Sequence, residues 1–140
     1  IVAGYSSGRL YQLDLNTHTD YGDTRIIQRD TPPINSIPLG SPGKRLIMSR
    51  FELIMEVGVG IETGQGSDPD VMFSISIDGG RNFISQGSGF VSPGSGGQYL
   101  KKVEFHKMVT FMDLIVRIRV SDPVFVSIHS AAIDLDFAGY

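Results

Sequence analysis

Apolar residues in this chain recur at every second position, and that alternation restricts it to a fold built from half-buried strands. Tyr11, Leu13 and Leu15 fall on one face of Arg9 to Leu15, with Gln12 and Asp14 on the other. Val71, Phe73, Ile75 and Ile77 alternate with Met72, Ser74 and Ser76. Leu114, Val116, Ile118 and Val120 alternate with Ile115, Arg117 and Arg119, and Ile133, Leu135 and Phe137 with Asp134 and Asp136. Each run offers one face to a core and keeps the other largely wet, the habit of antiparallel sheets. Lys44 to Val59 is denser, and its density alone admits a helix. Phe51, Leu53, Met55, Val57 and Val59 share one strand face, however, and Gly58 and Gly60 weaken a helix. The stretch is read as one long strand able to carry a bulge.

Turn chemistry separates these runs. Ser6-Ser7-Gly8, Tyr21-Gly22-Asp23 and Ser121-Asp122-Pro123 each sit between apolar segments, and Asp78-Gly79-Gly80 tolerates the positive φ of a tight hairpin. Two segments read as loops. Asp30 to Gly43 carries Pro32, Pro33, Pro38 and Pro42 and suits a semi-rigid connector or an edge cover. Ser85 to Gly97 is rich in Gly and Ser and long for a hairpin. The expected fold is an all-β, antiparallel, jelly-roll-like β-sandwich, with a closed barrel as second choice. Ile1 to Tyr5 reads as the middle of a strand, so the chain is expected to be a piece of a longer protein. Residues 1–20 are assigned to the end of a preceding domain, as a propeller-like strand pair, or to first strands; residues 21–140 are assigned to the sandwich.

A chain of 140 residues suffices for one core. It has no Cys, which removes disulfides, thiolate metal sites and cysteine nucleophiles. Its net charge of −3 comes without any block of like charge, unlike a non-specific nucleic-acid binder. No apolar run approaches the roughly 18 residues of a membrane helix, and no membrane partner is expected.

Catalytic signals are sparse. His18, His106 and His129 stand in no nucleophile setting, so no catalytic residue is assigned. No metal or cofactor motif occurs either. Asp134 and Asp136 share a strand face and have the types needed for Ca²⁺ or a glycosidase pair, but a solvated face explains them as well. The sharpest motif is Ser76-Ile77-Asp78-Gly79-Gly80-Arg81-Asn82-Phe83, which resembles the Asp-box. In such a box Asp accepts bonds from turn amides, glycine turns the chain, and the aromatic packs beneath, so Ser76, Asp78, Gly80 and Phe83 are assigned a structural hairpin. Lys101 and Lys102, with Arg117 and Arg119, form a positive strip if their strands are neighbours; otherwise they solvate a sheet face.

Three stretches carry a family likeness. Gly8-Arg9-Leu10-Tyr11-Gln12-Leu13-Asp14 with Tyr21-Gly22 comes first, and Asp78-Gly79-Gly80-Arg81-Asn82-Phe83 follows mid-chain. Gly97-Gln98-Tyr99-Leu100-Lys101-Lys102-Val103-Glu104-Phe105 then leads through Leu114 to Val120 into Ser121-Asp122-Pro123-Val124. This order resembles the C-terminal part of packaged-DNA stabilisation proteins, the tail accessory or hub proteins of short-tailed phages. It departs from them at Phe83 and Phe105, where Trp is common, at Lys101-Lys102, where Arg is common, and at Met108-Val109, where Leu-Gly is usual. The resemblance implies a virion protein of the phage tail, forming a homo-oligomeric ring that closes the portal channel and holds packaged DNA. Its implied partners are the portal adaptor, tail needle and tailspike, with no catalytic residue and no cofactor. Gly89, Phe90, Tyr99, Lys101, Lys102, Arg117 and Arg119 are the candidate interaction surface. The alternatives are a carbohydrate-binding module using Tyr5, Tyr21, Phe90, Tyr99 or Tyr140 for stacking, and, behind it, a glycoside hydrolase fragment.

Overall fold

Two faces of alternating strands can hide their apolar sides only by closing on each other, and the molecule does this with two sheets. The computed structural model describes residues 2–3, 8–20, 22–57, 69–90 and 100–139. In chain order the strands are β1 (Val2–Ala3), β2 (Leu10–Tyr11), β3 (Thr19–Asp20), β4 (Asp23–Thr24), β5 (Ile27–Asp30), β6 (Leu46–Val57), β7 (Asp70–Ser76), β8 (Ile84–Phe90), β9 (Leu100–Phe111), β10 (Ile115–Val120) and β11 (Val126–Phe137). One sheet has the order β5-β10-β7-β8 and the other β11-β6-β9, all antiparallel. Two small pairs, β1-β2 and β3-β4, precede them.

From β5 to β11 every connection changes sheet except the β7–β8 hairpin. That is the winding of a jelly roll with seven of its usual eight strands among the described residues. The sheets remain two, and the described strands do not close into a barrel.

The core lies between them. Leu46, Met48, Phe51, Leu53 and Met55 from β6 meet Val71, Phe73 and Ile75 from β7 and Val116, Ile118 and Val120 from β10. Phe73 is the pivot. Its ring lies 4.5 Å from that of Phe105 and 5.2 Å from that of Phe51, and those two stand opposite each other on the facing sheet.

Lys44 to Val59 is a strand from Leu46 to Val57, not a helix, and its pairing with β9 shifts between Met48 and Arg50. That bulge keeps Met48 and Phe51 both on the core side although they are three positions apart. Two sequence readings are corrected. Arg9 to Leu15 is not one buried-face strand: only Leu10 and Tyr11 pair, while Leu13 and Leu15 stand 80% and 96% exposed. Asp14 turns the chain there, since its carboxylate accepts from the Asn16 amide at 3.1 Å and the Thr17 hydroxyl at 3.0 Å. Ser85 to Gly97 is not a loop in its first half, because β8 runs through Phe90 against β7. Small residues hide this strand in the sequence, and Gly87 at φ 115° sits at its register shift. The proline-rich segment begins as an edge: Thr31 donates its amide to the Val116 carbonyl at 2.9 Å, and Ile34 bridges to Leu114.

Candidate interaction surface

The Asp-box hairpin is held from its first residue. Ser76 ends β7 with its side chain buried, so its hydroxyl must find partners inside the turn. It donates to Asp78 Oδ1 at 2.6 Å and accepts from the Gly80 amide at 3.0 Å. Asp78 then gathers the rest of the turn. It accepts from the amides of Arg81 at 3.0 Å and Asn82 at 3.0 Å, and from Asn82 Nδ2 at 2.7 Å. Gly79 and Gly80 have φ of 74° and 87°, and a Cβ on Gly80 would also press on Ile115. Phe83 completes the motif by packing under Arg117, whose guanidinium sits 3.5 Å from the ring centroid.

Arg117 therefore ties β10 both to β5 and to the β7–β8 hairpin. Its Nε and Nη2 grip both oxygens of Asp30 on β5, at 2.8 and 2.7 Å. Arg119 reaches Gln28 at 2.8 Å on the same outer face. Both arginines are engaged in tying β5 to β10.

The lysines lie elsewhere. Lys101 and Lys102 begin β9, in the other sheet from β10, so the four basic residues do not form a strip. The condition for the strip fails because the chain changes sheet between β9 and β10. Successive strand residues also point to opposite faces: Lys101 shares the face of Val103 and Phe105, and Lys102 that of Glu104. Gly89 and Phe90 lie on β8, but their side chains, like all of Tyr99, fall outside the described residues. The same holds for the side chains of Tyr5, Tyr21 and Tyr140.

A charged network that sequence reading did not single out covers the outer face of the three-stranded sheet. Arg50 donates to Asp134 at 2.8 Å and Glu104 at 2.9 Å and stands 3.3 Å from Glu52. Lys102 pairs with the same two glutamates, at 2.9 and 3.4 Å. The signal was present as outward charges on three strands, but only the register of β6 between β9 and β11 brings them together. Asp134 is thus an ion-pair partner. Asp136 shares its face, and no group of three or more acidic or histidine side chains suited to a metal ion occurs among the described residues.

These contacts set the titration. The Asn82 amide, the Ser76 hydroxyl and the Asn82 side chain hold the Asp78 carboxyl far below the usual carboxylate range. The Arg117 fork lowers Asp30, and Lys102 lowers Glu104. A carboxyl with a depressed folded-state pKa stabilises fully above its unfolded pKa of about 4, and that stability is lost as pH falls below it. Thermal midpoints recorded from about pH 7 to about pH 3 should therefore hold steady and then drop below about pH 4. Asp78→Asn should start lower and fall less steeply. An unchanged slope in that variant would remove Asp78 from the account.

Residues 37–136 match the family model described as "Bacteriophage P22 Gp10, beta-sandwich". The chain belongs to this family. It is accordingly a structural domain of a phage tail protein, with the β-sandwich that the family description names. No curated protein matches the chain. The part that matches the Gp10 family runs from just before β6 into the end of β11, so it includes the Asp-box hairpin and the charged outer face. β5 and the two small N-terminal pairs lie before it.

Proposed function

We propose that this domain serves in a hub ring of the phage tail, below the portal, where it helps to close the channel and hold packaged DNA. The family match over residues 37–136 carries the reading. Its mechanism is mechanical and needs no bond making or breaking. A stiff sandwich presents its edges and loops to a neighbouring copy and to other tail components, and repetition around a closed ring multiplies a modest contact. The partners under this reading are the portal adaptor, the tail needle and the tailspike. Within it, Arg117, Arg119, the Asp-box hairpin and the ion-paired Lys102 act as internal ties, while Lys101 remains available to a contact together with the β8–β9 end.

Residues 1–20 are best assigned to a preceding domain. Supporting this, β1 and β2 pair with each other and not with either large sheet, and Leu10, Leu13 and Leu15 are exposed. Exposed leucines so close in sequence favour a covered surface in the longer protein. Immunogold electron microscopy of tailed particles, with antibodies to this chain, should place gold at the tail vertex. Particles left bare, with signal only in the infected-cell lysate, would overturn the reading and return attention to glycan binding.

A further inference from the structure

Strand β9 ends the three-stranded sheet, and among the described residues it pairs only with β6. Its 12 residues alternate, with Val103, Phe105, Val109 and Phe111 on the core side and Glu104, His106 and Thr110 outside. One position breaks the apolar row. Lys107 takes the core-side place between Phe105 and Val109, in a cleft left open between the two sheets. Ile75, Ile77 and Ile84 line that cleft with it, around a volume of about 350 Å³, and Ile77 and Ile84 are each more than half exposed. Lys107 is itself exposed and makes no ion pair among the described residues.

The ammonium is tolerated there because the cleft opens to water, and the lysine stem can lie along the isoleucines. A strand laid beside β9 would close that opening. Its own inward side chains would shut Lys107 against Ile75, Ile77 and Ile84, and no carboxylate lines the cleft to receive the charge. With an apolar residue in its place, β9 would show a bare edge beside an unbroken apolar face from Val103 to Phe111. That is the pattern most prone to accept a second copy. Lys107 and Met108 also stand together opposite Ser49, where the register with β6 shifts, so the edge is bent at the same place. The other edges carry different devices. β8 has Gly87 at its register shift, β5 has four residues and runs on towards Pro32 and Pro33, and β11 shifts register twice.

We propose that Lys107 guards the β9 edge, keeping it from adding a strand of a second copy, so that this domain meets its neighbours through other surfaces. The guard works by desolvation: pairing would bury an ammonium that has no counter-charge. It holds whether or not the domain stands in a ring, and under the ring reading it says where the joint between copies does not lie.

The test uses the full chain, weighed by light scattering after size-exclusion chromatography over a range of concentrations. Lys107→Ile moves the net charge of −3 further from zero, which by itself opposes association. It should nevertheless associate at concentrations roughly tenfold or more below the parent's, with new hydrogen-exchange protection in β9. Lys107→Glu keeps a charge that cannot be sealed in cheaply and should behave like the parent. Thr110→Ile puts the same side chain on the outward face of the strand and should also behave like the parent, which separates an edge effect from general stickiness. Lys107→Ile should melt no lower than the parent, because its side chain joins Ile75, Ile77 and Ile84. If it does melt lower, Lys107→Val takes its place under the same expectations. Unchanged association of the apolar variant, equal association of Lys107→Glu or Thr110→Ile, or protection away from β9 would each overturn the guard. Gold at the tail vertex beside any of these would leave the tail reading standing; bare particles would bring down that reading instead.

Discussion

Phe73→Ala should cost about 3–5 kcal/mol, the range for removing a buried aromatic ring. Phe73 is wholly buried and is the one ring that touches both Phe51 and Phe105 from the opposite sheet. Its loss opens a cavity where, among the described residues, three aromatic rings lock the sandwich, and neighbouring strands with fixed ladders cannot collapse into it freely. Domains of this size have about 5–15 kcal/mol to lose, so the variant should sit near the edge of folding at room temperature. Urea titration with far-ultraviolet circular dichroism reads this directly. A midpoint close to the parent's would mean that the two sheets are held together elsewhere.

Ser76→Ala ranks second, at about 1.5–3 kcal/mol, because the lost hydroxyl is itself buried, bonds to a charged carboxylate and also satisfies the part-buried Gly80 amide. Without it the Gly80 amide has no acceptor and Asp78 keeps only its bonds to the far side of the turn. The expected signature is local as well as global. Hydrogen exchange should speed up in β8 and at the β7 end before it does in β6, since among the described strands β8 pairs only with β7 and this hairpin closes their ladder. Uniform acceleration across both sheets would show that the turn is not an independent brace. Ser76→Thr, which keeps the hydroxyl, should recover most of the loss.

What could be read from the sequence was whatever alternation alone determines. Val71 to Ile75, Leu114 to Val120 and Ile133 to Leu135 turn the expected faces toward the core, whereas Ile77 falls past the end of β7 and it and Phe137 are exposed; the turn residues between these runs mark real reversals. The sandwich and its jelly-roll character followed from the number and spacing of such runs. The misses share a cause. β8 was invisible because Gly and Ser have little strand preference of their own, and it forms only because β7 offers it a ladder. Leu13 and Leu15 looked like a buried face, yet alternation says nothing about whether a partner surface is present. At the candidate surface, the internal bonds of the Asp-box were legible because all its contacts are within a few residues. Arg117 on Phe83 and Asp30, and the Arg50 network, join residues from distant strands, and no local pattern reports their register.

The alternation of sheets along the chain also shapes how the domain is made. β6 is the spine of its sheet, but its partners arrive late: Arg50 meets Asp134 across 84 residues, and β9 lies between. During synthesis this long amphipathic strand leaves the ribosome with both edges bare; one stays so until β9 emerges and the other until β11 does. Such a topology, dominated by distant pairings, folds slowly and exposes sticky surface meanwhile. A cell making many copies at once, as infection demands, would gain from chaperone cover over exactly that interval, and truncations that remove β11 should yield aggregates rather than a smaller folded domain.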